Sequence, residues 1–187
     1  MTVIASALAA ATLDQTSPRP FRGTWITNVA SSALRSENEV KDAIKICLDN
    51  KINTVFVVVW NKGLTMYPSE VMEKYIGVRQ DPIYRGFDPL DCMIKEGHKA
   101  GIQVHAWFEF GFSYKNGAAE SVWEVKYPHW IGRKPGRRSL EKNGFFWWNA
   151  LHPKPQQFLR ELITEVVTKY PVDGVQGDDR LPAMPSE

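Results

Sequence analysis

The sequence has little that would tie it to a membrane, a nucleic acid or a metal. No apolar run reaches the roughly 18 residues a membrane-spanning helix needs. The 23 Lys and Arg stand against 21 Asp and Glu, a net charge of +2, too near balance to draw a polyanion or an anionic membrane. The one basic cluster, Arg133-Lys134-Pro135-Gly136-Arg137-Arg138, is short, is broken by Pro and Gly, and reads as a solvated loop. Only four His are present, none in an H-x-H or H-E-x-x-H pattern, so no dedicated metal motif is visible. No Gly-rich phosphate turn follows an apolar run, which weakens any dinucleotide-binding reading. No cofactor is expected. The two cysteines, Cys47 and Cys92, fall inside apolar helical patterns, where a free thiol behaves as a small hydrophobe; they identify no redox compartment and leave a disulfide open.

What is present is enough to bury one sizeable core: 43% of the 187 residues are hydrophobic, and the apolar pattern recurs along most of the chain. The start, MTVIASALAAATLDQTSPRP, has the apolar stretch and small residues of an export signal followed by a Pro-containing linker, but not the basic residues that usually precede them. Residues 1–20 are therefore read as a signal-like or linker segment, with an extracytoplasmic location expected, and residues 21–187 as the domain.

Within the domain, short apolar runs alternate with helical periodicity. GTWITNV (Gly23 to Val29) reads as a strand, and Ser36-x-x-Glu39 is a capping box opening a helix that carries Val40, Ala43, Ile44 and Cys47 on one face. NTVFVVVW (Asn53 to Trp60) is a β-branched run of the kind buried on both faces of a parallel sheet. Asp88-Pro89 starts a helix that Gly101 ends, and IQVHAWFEF (Ile102 to Phe110) is a third strand. A helix from about Pro155 through Tyr170 leads into a fourth strand, DGVQGD. The order β-α-β-α-β-α-β implies parallel crossovers, hence an α/β barrel or an open doubly wound sheet. The longest loops follow the second and third strands, at the strand ends where α/β barrels carry their sites. The fold class expected is α/β, the first half of a (β/α)8 TIM barrel with four strands and three helices, cut after the fourth strand.

Period-two alternation sorts the third strand. Val104, Ala106 and Phe108 point toward the helices, while Gln103, His105, Trp107 and Glu109 point inward. The same count turns Gln176 and Asp178 inward on the fourth strand and puts Asp179 in the loop beyond. An inward acid at a C-terminal strand end is expensive to desolvate and sits where barrels place catalytic carboxylates. Seven Trp add flat apolar faces suited to sugar rings, Trp147-Trp148-Asn149 being the best such group. Hydrolysis of a glycosidic bond needs two carboxyl groups flanking it. The candidates are Asp178, Asp179 and Glu109, Asp179 being better placed to orient Asp178 or a sugar hydroxyl, with the second acid either Glu109 or a residue beyond Glu187; the expected partner is a carbohydrate, contacted by Trp25, Asn28, Trp60, His105, Trp107, Trp147 and Asn149.

The blocks FRGTWITNV, GFDPLDCMIKEGHKAGIQVHAWF, YPHW, WWNALHPKPQQFLRELITEVVTKYPVDGVQGDD and the following LP resemble, in that order, the glycosyl-hydrolase-like 10 family of bacterial proteins. The resemblance covers nearly everything from Phe21 onward. It implies a TIM-barrel carbohydrate hydrolase, often exported or lipid-anchored, and sets the family's DG-x-x-x-DD block on Asp173, Gly174, Asp178 and Asp179, its VHAWF block on His105 to Phe108, and its Asn before the third helix on Asn149. By analogy, the acid of the fourth strand is a catalytic candidate. One departure, Glu109-Phe110-Gly111 in place of an Asn-containing segment, points to a different subgroup and substrate; another, WNKGLTMYPSE in place of an Arg-containing segment, leaves Trp60 and Asn61 open as ligands. Strands five to eight are expected in a longer parent, where activity would reside. Two other classes compete: a glycan-binding barrel without catalysis, and a metal-dependent hydrolase using His105, Glu109 and Asp178.

Overall fold

The structure is a computed structural model that describes residues 20–133 and 139–177. Most of the signal-like start and of the basic cluster therefore lies outside the described residues. Eight strands occur among them: β1 (Gly23–Ile26), β2 (Thr54–Asn61), β3 (Leu64–Thr65), β4 (Gln103–Phe108), β5 (Ser113–Asn116), β6 (Leu140–Lys142), β7 (Phe145–Trp147) and β8 (Gly174–Gly177). The helices are α1 (Glu37–Asp49), α2 (Glu70–Ile76), α3 (Pro89–Lys99), α4 (Val122–Lys126) and α5 (Pro153–Lys169), with a short 3-10 turn at Pro82–Tyr84.

The main sheet runs β1-β2-β4-β8, all parallel, and α1, α3 and α5 make the crossovers. Each new strand joins beside the last. A doubly wound sheet reverses direction at a switch point, so this sequential order is the winding of a barrel. Curvature agrees. Four strands laid flat would hold β1 and β8 about 14 Å apart, yet the Trp25 indole on β1 donates to Gln176 Oε1 on β8 at 2.9 Å across the concave face. Among the described residues the sheet is not closed.

Local chemistry places these elements. Ser36 caps α1 by accepting from Glu39 N, and Asp88 caps α3 by accepting from Leu90 N and Asp91 N, both at 3.1 Å, with Pro89 in the first turn. The third crossover helix starts at Pro153, two residues before the expected Pro155, because His152 Nδ1 accepts from Lys154 N at 3.1 Å and caps it. Val55, Val57, Val104, Ala106 and Phe108 are sealed between the sheet and the helices. Cys47 and Cys92 are both unpaired thiols.

By pattern alone the segments after β2 and β4 are long loops, and the structure gives both of them secondary structure. The first carries β3 and α2; the second folds into an antiparallel sheet, β5-β7-β6, with α4 beside it. Strands of three or four residues show too few alternations to stand out as period-two patterns.

At the opposite end of the sheet, Asp173 ties β8 to β4 and α3. Its Oδ2 accepts from Val104 N at 2.7 Å and lies 2.8 Å from His98 Nε2, which therefore carries the proton. Burial pushes this carboxyl up, but the Val104 and His98 donors outweigh burial and hold it below its ordinary 3.8. A carboxylate depressed in the fold stabilises above its unfolded value and loses that contribution as pH falls through the folded one. Urea midpoints measured from about pH 5 down to about pH 2 should fall less steeply in Asp173→Asn than in wild type; parallel curves would remove Asp173 from the acid transition.

Candidate active site

Three side chains converge at the C-terminal ends of β1, β2 and β4. The Asn61 amide nitrogen donates to Asn28 Oδ1 and to Glu109 Oε2, each at 3.0 Å. Asn61 is 1% exposed and Glu109 7%. In each segment the backbone then turns off through a left-handed residue: Ala30 (φ 49°), Lys62 (φ 54°) and Phe110 (φ 58°). Such a conformation is unusual for a residue as bulky as Phe. Phe110 is held in it by stacking on Phe145, with centroids 4.0 Å apart.

Asn61 reaches this position because of a bulge. The register between β2 and β4 shifts between Val58 and Trp60. Simple alternation from Phe56 through Val58 would send Trp60 inward; the extra residue sends it outward and Asn61 inward. Trp60 is then fully buried, stacked on Trp148 and edge-on to Phe158 of α5, with its indole nitrogen donating to Gly111 O at 2.8 Å. The expectation that Trp60 contacts a sugar is corrected accordingly, since both ring faces belong to the core.

Two further aromatic expectations change for the same reason. Trp147, on β7, is buried against Phe110 and Leu140, and Trp148 is sealed among Trp123, Trp130 and Phe158. The Asn149 side chain is occupied locally, accepting from Leu151 N at 3.0 Å in the turn before α5. The high Trp content of the segment after β4 thus builds a core under that segment.

Trp25 is different: it is 54% exposed on the concave face and stacks on Phe56 at 5.2 Å. Phe56 in turn meets the His105 ring at 5.2 Å. Trp25, Phe56, His105 and Gly174 form one register row across the four strands. Gly174 is needed there, because a Cβ would lie 2.4 Å from His105 Nδ1. Val58, Trp107 and Gln176 form the next row toward the mouth. His105 Nε2 and Trp107 Nε1 are buried with no hydrogen-bond partner among the described residues. His105 thus sits two rows below Glu109. Four residues along a strand span about 13 Å, so His105 and Glu109 do not share a metal ion, and the metal-dependent alternative loses its ligand set. Among the described residues no three His, Cys, Asp or Glu side chains are placed to hold one.

Asp178 and Asp179 lie outside the described residues. Gly177, which precedes Asp178 in the chain, pairs with Phe108, which precedes Glu109. Phe56, Asn61 and Gln176 are the concave-face residues that the sequence reading did not assign to the site. An Asn closing an otherwise apolar β-branched run was the available signal for Asn61.

The family model of the glycosyl hydrolase-like 10 group matches residues 20–186. Glycosyl hydrolase DigH of Escherichia coli strain K12 is 31% identical over 199 residues, covering 88% of this chain and 43% of its own. Glycosyl hydrolase YngK of Bacillus subtilis is 28% identical over 181 residues, covering 87% and 33%. The chain therefore spans less than half the length of these relatives. Among solved structures, a hypothetical protein from Ruminiclostridium thermocellum superposes with a TM-score of 0.62 at 18% identity, over 84% of this chain and 75% of that one. The Flavobacterium johnsoniae chitobiase gives 0.58 at 19%, over 86% and 24%. At these identities the structural likeness concerns the fold alone.

Proposed function

We propose that this chain, which belongs to the glycosyl hydrolase-like 10 family, contributes to the hydrolysis of O-glycosidic bonds by a two-carboxylate mechanism. The observation that carries this reading is Glu109, a carboxylate buried at the C-terminal lip of a barrel-type sheet and held there by a side-chain amide. Burying an acid costs several kcal/mol unless it is bonded, and this is the end of the fold where barrel enzymes do chemistry.

Glu109 is one carboxyl group of the pair, and Asp178 is the candidate for the other. In retaining hydrolysis one carboxylate attacks the anomeric carbon as the other carboxyl group protonates the leaving oxygen; in inverting hydrolysis it takes a proton from the attacking water instead. A spacing of about 5–5.5 Å corresponds to retention and about 6.5–9.5 Å to inversion. The exposed Trp25 face and the polar Asn28 supply the stacking and hydroxyl contacts that a sugar needs.

The test is release of reducing ends from a panel of bacterial and plant polysaccharides and their oligosaccharides by the full-length protein. Release establishes the hydrolase. Binding of oligosaccharide with no release, measured by calorimetry on the same panel, replaces it with a glycan-binding barrel.

A further inference from the structure

We infer that Asn61 is a positioning residue that holds Glu109 at the mouth of the sheet as an ionised carboxylate, assigning to Glu109 the part that enters the reaction without a proton. The catalytic half of this statement rests on the hydrolysis proposed above; the placement does not.

The argument starts from the bulge. An irregularity in a central strand sacrifices ladder regularity, and here its result is to exchange Trp60 for Asn61 on the concave face. The Asn61 side chain is 1% exposed and sits between Asn28 and Glu109. Both neighbours present oxygens to the same amide nitrogen, at 3.0 Å each, while Asn61 Oδ1 is buried and has no donor among the described residues. A buried amide accepts an orphaned oxygen at a cost. It is retained here in the one orientation that gives both N–H groups to acceptors. The reverse orientation would bring its oxygen against Glu109 and would suit only a protonated carboxyl group. A hydrogen bond donated to a carboxylate favours its charged form.

Several described side chains share this face of the sheet with Glu109. Asn61 faces it from β2, with Asn28 of β1 behind; on β4 the next residue on the same face is Trp107, and His105 lies a further row away; Gln176 of β8 pairs with Trp107. An ionised Glu109 either takes a proton from the attacking water or bonds to the anomeric carbon as the glycosidic C–O bond breaks. The leaving oxygen then takes its proton from the second carboxyl group, which begins the cycle protonated. The two acids acquire opposite starting states, which two-carboxylate hydrolysis requires.

The experiment is a pH titration of the full-length protein labelled with 13C at the Glu carboxyl carbons, the Glu109 signal being identified by its loss in Glu109→Gln. In wild type the Asn61 side-chain amide protons should shift with the same midpoint as the Glu109 carboxyl carbon. That midpoint should rise in Asn61→Ala, which removes the donor, and rise further in Asn61→Asp, which keeps the shape and opposes the charge. On a cleaved glycan, kcat should fall about 10- to 100-fold in both variants with KM changed less than about threefold. Should Asn61→Ala not fold, Asn61→Asp and the wild-type amide titration decide alone. Amide protons that ignore Glu109, or a midpoint unmoved in either folded variant, overturn the assignment. A wild type that cleaves no glycan but shows the coupled titration overturns the hydrolase reading and leaves Asn61 as the residue that positions Glu109.

Discussion

Replacing Glu109 with glutamine should lower kcat on a glycan substrate by on the order of a thousandfold or more, with the fold intact. The substitution is close to isosteric. Glutamine offers an oxygen to the Asn61 amide where the carboxylate did, so the bond recorded at 3.0 Å can persist. The charge is what disappears, and with it the ability to bond to the anomeric carbon or to accept a proton from water. Thermal unfolding should be displaced by only a few degrees, and KM should change little if binding rests on Trp25 and Asn28. A variant that retains more than about a tenth of wild-type kcat would move the catalytic pair elsewhere. Asp178→Asn in the same assay separates the roles: if Asp178 is the proton donor, substrates with good leaving groups should be rescued in Asp178→Asn and not in Glu109→Gln.

The four strands of the main sheet and the three helices between them were legible because each satisfies several local rules at once. Thr54–Asn61 is a long β-branched run; α1 and α3 begin at side chains that cap them, Ser36 and Asp88. Alternation also sorted β4 correctly, since Val104, Ala106 and Phe108 are fully buried on one face while Gln103 and His105 are not. Parity failed where the backbone broke it. One added residue between Val58 and Trp60 inverted the last turn of β2, so an indole expected at the mouth became core and an amide of unknown role became the centre of the site. Nothing in VVVWN announces a bulge. Composition misled in a related way: Trp123, Trp130, Trp147 and Trp148 resemble a sugar-stacking set in a loop, but that segment folds on itself and needs large apolar side chains to do so.

Glu165 was invisible to the same reading, and its loss should be the most destabilising single change among these residues: about 3–5 kcal/mol for Glu165→Ala. On sequence it is one more acidic residue of a long amphipathic helix. In the fold it is 8% exposed on α5 and reaches the start of α2. One oxygen accepts from Glu70 N at 2.7 Å and Val71 N at 3.3 Å, and from Lys169 Nζ at 3.2 Å; the other accepts from the Ser69 hydroxyl and from Tyr67 Oη at 3.2 Å. A carboxylate at a helix N-terminus meets unpaired N–H groups and the positive end of the dipole. Burial, and secondarily the Glu165 charge, raise the Tyr67 phenol well above its ordinary value, which keeps it the donor in its bond to Glu165. Truncation to alanine strands the Tyr67 and Ser69 hydroxyls, both fully buried, along with the two backbone donors. For a domain of this size the loss corresponds to a fall in Tm of roughly 10 °C. Glu165→Gln keeps one acceptor but turns an amide N–H toward donors, and should cost about half as much. Lys169→Ala removes a half-exposed partner and should cost under about 1 kcal/mol. Urea unfolding of the three variants checks the order. Equal losses for Glu165→Ala and Lys169→Ala would mean that the ion pair, rather than the capping of α2, is what Glu165 contributes. The predicted order instead makes α5 the anchor of α2, and so of the segment that leaves the mouth of the sheet directly after Asn61.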